Sequence, residues 1–450
     1  MTSAQPAPAL PSLSSLRFLA ALAVFAVHGA LEVVFNNQRL GGVYLFGVMP
    51  AGHFAVTYFF LLSGFVMTWS HRAHDTPRRF WRRRAARVYP SHAVVWAAAV
   101  GLALWAGTFP TVPQALAQLF LVQSWVPDPA YYDTLNSLTW SLSVEMFCYL
   151  CFPLLLLGVL RISTRWLWPA AGAVVGLILL VPVVADTLLP ETDPHPLGDV
   201  SLLWFLDALA DPTGAGDAPG FASTDQVWFV YFFPPVRALE FVTGMLVARI
   251  VRERRWIRMG PAAAAALSLV AVTAAVLVPY LYQLTTVSIV PMVLLLGAMA
   301  TADLRGRRSI LHARPLVRLG ELTFTFYLVH GLVLTYGHLA FGRTETELGP
   351  EGESWSTPIG LTFLLGAFVV SLVLAWVLHT LVEKPVMARW ARPRRRDSAE
   401  NAPSPAAGEP SEEPSTPSGL RPTAVPAMTS ASDKDGRTGT VTSSTRPGGT

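Results

Sequence analysis

Ten apolar runs of bilayer-spanning length fix the outline of this chain. They lie near 14–35, 51–70, 88–107, 138–160, 167–188, 229–251, 262–282, 286–302, 322–341 and 358–382. Each is close to the roughly 17 to 25 residues a helix needs to cross a hydrocarbon core about 30 Å thick. Inside that core backbone groups must be satisfied within their own segment, so the fold expected is all-α: a polytopic membrane bundle of about ten transmembrane helices. With 52% hydrophobic and 14% charged residues, the chain is too apolar for an ordinary soluble enzyme.

An even number of crossings puts both termini on one side, and loop charge says which. Loop 71–87 has seven arginines, 249–260 has five and 303–320 has five, and Arg161 and Arg165 follow the fourth run. On the other parity, 185–227 carries seven aspartates with no Lys or Arg, and 342–356 carries four glutamates against Arg343. Lys and Arg gather on the cytoplasmic side, so both termini are expected to be cytoplasmic, in a plasma-membrane protein. Residues 1–11 then form a cytoplasmic lead and 12–390 the membrane domain. From 391 to 450 the chain is rich in Pro, Ser, Gly and Thr and reads as a disordered cytoplasmic tail. The first run has no cleavage site after it, so no signal peptide is expected to be removed. Two further segments, 113–126 and 200–210, are too short or too amphipathic to span and are expected to be re-entrant or interfacial on the outer side. Cys148 and Cys151 fall inside one apolar run, where packing is the expected role.

Ionisable groups within the runs carry the functional signal, because each costs a few kcal/mol or more unless it faces a partner or a polar cavity. Arg17 stands near the cytoplasmic end of the first run, and His28 lies eleven residues, about 16 Å, deeper. Glu145 is about two turns into the fourth run from outside, which places it near the depth of His28. Arg237 and Glu240 share one face of the sixth helix behind the Pro234–Pro235 break, and Tyr327 and His330 sit in the ninth. Any one of these can be a buried packing element, and an Arg–Glu pair can be a neutral bridge. Together they indicate a polar cavity inside the bundle.

The basic loop 71–87 serves topology and attraction to anionic lipid. Its Arg84 and Arg87, however, continue into the third helix, a position suited to holding a phosphorylated ligand at a cavity mouth. His71 and His74 have a metal-like spacing but no supporting ligand set, so no metal is expected.

The ordered set LRFLAALAVFAVHG, YFFLLSGFVM, RRRAARVYP, WSLSVE, RALEFVTGM, YLVH and VEKP resembles the integral-membrane acyltransferase family 3, over roughly residues 12 to 390. That family includes acetylases of O-antigen, exopolysaccharide and nodulation factors and acyltransferases acting on macrolide sugars. The resemblance implies O-acyl transfer from cytoplasmic acyl-coenzyme A, commonly acetyl, to a hydroxyl of a glycan, glycolipid or glycosylated metabolite. It implies no bound cofactor, the donor being a substrate, and no nucleic-acid partner. Carried onto this chain, Arg17 and His28 are the first-helix pair, Arg84 and Arg87 the basic donor motif, and Ser63, Gly64 and Phe65 the Ser-Gly-Phe motif. Glu145 is then the fourth-helix glutamate. The chain departs from the pattern at Thr323 and Phe324, where Ser-Tyr is usual, and lacks the proline that often follows the ninth-helix His330.

On this reading His28 takes the proton of the attacking hydroxyl and Glu145 orients its ring and supports the imidazolium. Arg17, Arg84 and Arg87 bind the donor, while Ser63, Arg237, Glu240, Tyr327 and His330 line the cavity. Alternatively His28 itself is acylated. A secondary transporter would show the same broken helix and buried charges, and a scaffold that kept the fold without chemistry is a third class.

Overall fold

Proline marks where the helices begin. Pro11, Pro77, Pro234, Pro261, Pro315 and Pro358 all fall in a first helical turn, where the missing N–H costs no hydrogen bond. The computed structural model describes residues 8–71, 75–190, 193–195, 222–346 and 349–390. The principal helices are α1 (Pro11–Leu31), α2 (Gln38–Trp69), α3 (Pro77–Ala106), the short α4 (Val112–Leu119), α5 (Trp140–Arg161), α6 (Leu167–Leu188) and α7 (Pro234–Arg252). They continue with α8 (Pro261–Ala274), α9 (Thr286–Leu304), α10 (Arg314–Phe341) and α11 (Thr357–Leu378). A two-stranded antiparallel hairpin, β1 (Arg343–Thr346) and β2 (Gly349–Gly352), links α10 to α11. The segment 200–210 and the tail from 391 lie outside the described residues.

Among the described residues nine helices are long and apolar enough to cross a membrane. The run at 262–282 instead gives the shorter helix Pro261–Leu277, about 26 Å at 1.5 Å per residue. Pro279 explains the early stop: it forces the preceding Val278 into extended backbone (φ −113°, ψ 155°).

The helices alternate in direction, and their arginine-rich connections meet at one end. There the Ser12 hydroxyl donates to Asp303 at 2.7 Å, Trp69 Nε1 donates to the Pro8 carbonyl at 3.1 Å, and Arg252 donates to the carbonyl of Thr68 at 3.1 Å. Arg249 likewise donates to the Val159 carbonyl at 2.7 Å, and Trp168 Nε1 to that of Arg255 at 3.0 Å. At the opposite end the Trp355 N–H donates to the Val34 carbonyl and the Thr335 hydroxyl to Glu32.

The centre of the bundle is the crossing of α2 and α7, where the backbones touch at two glycines. A Cβ on Gly64 would lie 1.9 Å from the Phe241 carbonyl oxygen, and one on Gly244 would lie 1.9 Å from that of Leu61. Small residues at such a crossing give close helix packing in a medium with no hydrophobic drive between helices.

The connection from α3 to α5 folds back into the bundle through α4. Gln118, Gln123, Ser124 and Asn136 are all buried. Asn136 Nδ2 donates to the Leu328 carbonyl at 2.9 Å, and Gln118 Nε2 donates to those of Thr134 and Asn136. These side chains satisfy loop backbone that lipid could not.

Candidate active site

A cavity of about 330 Å³ lies among α1, α2, α3, α5 and α10. Its polar lining is Arg17, Ser63, Arg84, Arg87, Ser141, Glu145, Tyr149, Thr323 and Tyr327; Phe59, Phe60 and Phe324 supply its aromatic wall. Glu145 is its hub. Oε1 accepts hydrogen bonds from the Ser63 hydroxyl at 2.7 Å and from the Tyr149 hydroxyl at 2.5 Å. Ser63 reaches it from α2, at the residue next to Gly64, where α2 crosses α7 closely. Tyr149 reaches it because it lies one turn along the same helix.

Three arginines face this carboxylate. Arg17 is half-buried and has no ion-pair partner among the described residues. Arg84 lies over the rings of Phe80 and Tyr149, at 5.6 and 5.7 Å, with its Nε buried and unbonded. Arg87 is 3.5 Å from the buried Glu383, which also takes a 2.9 Å hydrogen bond from His379. One carboxylate and three guanidiniums leave the cavity with an excess of positive charge.

His28 is not in this lining, and Glu145 does not touch it. Instead Nδ1–H of His28 donates to the Val24 carbonyl at 2.7 Å, and the ring meets His330 with centroids 5.4 Å apart. His330 is fully buried, donates from Nδ1 to the Phe326 carbonyl at 3.1 Å, and leaves Nε2 without a partner. His28 and Glu145 therefore do not meet as the orienting pair expected from the sequence. Glu145 is bonded to Ser63 and Tyr149, and His28 stands in the last turn of α1 against His330. Just upstream of Glu145, the Leu138 carbonyl takes a 2.7 Å hydrogen bond from Tyr327.

Tyr327 stands between the cavity and the histidine pair. It lines the cavity, exchanges a 2.7 Å hydrogen bond with Ser141, and lies 5.8 Å from the His330 ring.

Arg237 and Glu240 stand apart from the cavity lining. They form a buried pair at 2.9 Å, with the Thr57 hydroxyl donating to Glu240 at 3.1 Å and Ser288 bonded to Thr57 at 2.8 Å. The Arg237 guanidinium lies between the rings of Phe60 and Tyr231, at 5.0 and 4.9 Å. Phe60, whose other side lines the cavity, screens the pair from it. Among the described residues no group of three or more His, Cys, Asp or Glu could hold a metal.

Tyr149, Ser141 and Glu383 were not singled out from the sequence. The first two were legible as helical neighbours of Glu145, four residues either side of it. Glu383 stands within the VEKP motif, but its pairing with Arg87 is a tertiary contact.

Residues 10–380 match the family model described as an acyltransferase domain. The acyltransferase MdmB of Streptomyces mycarofaciens is 39% identical over 406 residues, covering 89% of this chain and 96% of that protein.

Proposed function

The chain belongs to this acyltransferase family, and from that membership we propose that it moves an acyl group, acetyl in the simplest case, from cytoplasmic acyl-coenzyme A to a hydroxyl of a sugar-bearing acceptor. It is a multi-pass membrane protein, placed by this reading in the plasma membrane with its arginine-rich end in the cytoplasm. The observation that carries the proposal is the arginine-lined cavity, one of whose lining residues, Tyr327, packs 5.8 Å from the ring of His330 and so borders the histidine pair. Arg84 and Arg87 suit the donor's phosphates, and Arg17 with the Glu145–Ser63–Tyr149 cluster lines the route for its pantetheine arm.

The base in this reading is His28. Its Nδ1–H is committed to the Val24 carbonyl, so the neutral ring presents a lone pair at Nε2, the form a base needs. The acceptor hydroxyl loses its proton to Nε2 and its oxygen attacks the thioester carbonyl. The C–S bond then breaks, and the coenzyme A thiolate takes the proton back from His28. His330 packs against His28 in the place the sequence reading gave to Glu145.

The test is thiol release from acetyl-coenzyme A by the purified protein in nanodiscs, with candidate acceptors scanned by mass spectrometry for the added acyl mass. Acceptor-dependent turnover lost in a folded His28→Ala protein is the expected result. Uptake of solute into proteoliposomes without thioester cleavage would overturn the proposal in favour of a transporter.

A further inference from the structure

We propose that Glu383 is a positioning residue for the donor site: its carboxylate holds the Arg87 guanidinium at the cavity wall, where the phosphates of the proposed donor are taken up. The inference rests on the coenzyme A reading above and adds to it a residue outside the cavity lining. Local sequence sets the place of Glu383. Pro385 falls in the first turn of the short helix Lys384–Trp390 and has no N–H to give to the helical ladder that comes down from α11. The turn before it, His379–Glu383, is π-helical, with the Lys384 N–H bonded to the His379 carbonyl. Such single π turns are rare and are frequent at functional sites. This one packs on α3 and brings Glu383, 3% exposed, to Arg87.

Both carboxylate oxygens are engaged. Oε1 lies 3.5 Å from Nη1 of Arg87, and Oε2 accepts the Nδ1–H of His379 at 2.9 Å. His379 therefore fixes the carboxylate, and the carboxylate fixes the guanidinium. A carboxylate beside an arginine can act on an anionic ligand in two opposite senses. It can hold the guanidinium in the ligand's path, which spares binding the cost of ordering a long side chain, or it can compete with the ligand for it. The geometry selects holding. Arg87 lines the cavity while it is paired, and its side chain is still 34% exposed. The pair engages one terminal nitrogen of a group with five N–H donors, so a phosphate can be met without breaking it. Arg84 lines the same cavity but is held over the rings of Phe80 and Tyr149, which makes it the internal control.

The experiment measures equilibrium binding of radiolabelled coenzyme A to the full chain in nanodiscs, for the wild type, Glu383→Gln, Arg87→Ala and the double variant. Holding predicts that Arg87→Ala weakens binding about tenfold in the wild type but only about twofold in the Glu383→Gln protein, where the guanidinium is already loose. Arg84→Ala should weaken both proteins by the same factor, a pattern that general loosening of the site would not produce. If Glu383→Gln fails to fold, Glu383→Asp, which keeps the charge and withdraws the carboxylate by one methylene, closes the same cycle with the same expected sign. An Arg87→Ala effect that is unchanged in the Glu383 variant would overturn the inference, and so would a larger one, which would mark Glu383 as a competitor of the donor. Folded wild-type protein that does not bind coenzyme A would remove the donor reading and this inference with it, whereas wild-type binding without the predicted coupling removes the inference alone.

Discussion

Replacing Gly64 by alanine should damage catalysis and stability together, and the structure gives the size of the displacement. The added Cβ would sit 1.9 Å from the Phe241 carbonyl oxygen, and real Cβ atoms essentially never approach closer than 3.0 Å. Neither partner is a flexible side chain, so α2 and α7 must separate locally by about 1 Å, an overpacking cost of about 1–3 kcal/mol. Ser63 is the adjacent residue, so the same shift disturbs its 2.7 Å hydrogen bond to Glu145, and a bond to a charged group contributes about 1.5–3 kcal/mol. Gly64→Ala should therefore lower the midpoint of a thermal aggregation curve in detergent and reduce turnover measured well below that midpoint. Gly101→Ala is the control, since nothing lies within 4 Å of its added Cβ. A Gly64→Ala protein with the wild-type midpoint and turnover would refute the close crossing and the dependence of Ser63 on it.

Arg84→Ala or Arg87→Ala should raise KM for acyl-coenzyme A more than it lowers kcat, with Arg78→Ala near wild type; equal effects at all three in steady-state kinetics would indicate diffuse attraction instead of a site. Glu240→Gln or Arg237→Met should each cost about 3–5 kcal/mol by leaving a buried charge unpaired, and the double replacement Arg237→Met with Glu240→Leu should recover much of it in thermal denaturation. Burial holds His195, stacked on Tyr280, neutral down to about 4. Below its unfolded value near 6.5 the unfolded chain therefore binds the extra proton, so this contribution is full above that pH and fades as pH falls towards 4. The protection of the Asp193 and His195 amides, taken relative to the intrinsic exchange rate at each pH, should fall over that window in the wild type and stay level in His195→Phe. His28→Ala and Glu145→Gln should act additively on the activation free energy, within about 0.5 kcal/mol, because the two sites do not touch; strong coupling in the double-mutant cycle would put them back in one catalytic unit.

Spans, their alternation and the arginine-rich end were legible because each is a property of one segment: length, apolarity and loop charge. The one short helix, Pro261–Leu277, was also marked in the sequence, by the Pro279 that stops it. What a single helix cannot show is which neighbour a side chain meets. Glu145 was expected against His28; it is bonded instead to Ser63 and Tyr149, in a cavity lining from which His28 is absent. The folded-back segment before α5 was visible only as an apolar stretch too short to span. Arg237 and Glu240 show the same limit in the other direction. Their shared face was correctly read, but whether that face meets the cavity depends on Phe60, a residue with no polar signature.

On the proposed reading the cavity and the histidine pair divide the labour of an acyl transfer. The arginines suited to a phosphorylated donor line the cavity, and neither imidazole is in that lining. An arginine beside the imidazoles would oppose the positive charge that His28 takes up in acting as a base, at a cost of about 4 kcal/mol for unit charges 4 Å apart at an effective dielectric near 20, and the repulsion falls as the inverse of the separation. Keeping the donor's counter-charges apart from the base would in turn require a long, thin donor arm. Tyr327, Ser141 and Phe59 line the cavity such an arm would occupy, so on this reading their size, more than their charge, governs how far an acyl group reaches towards His28.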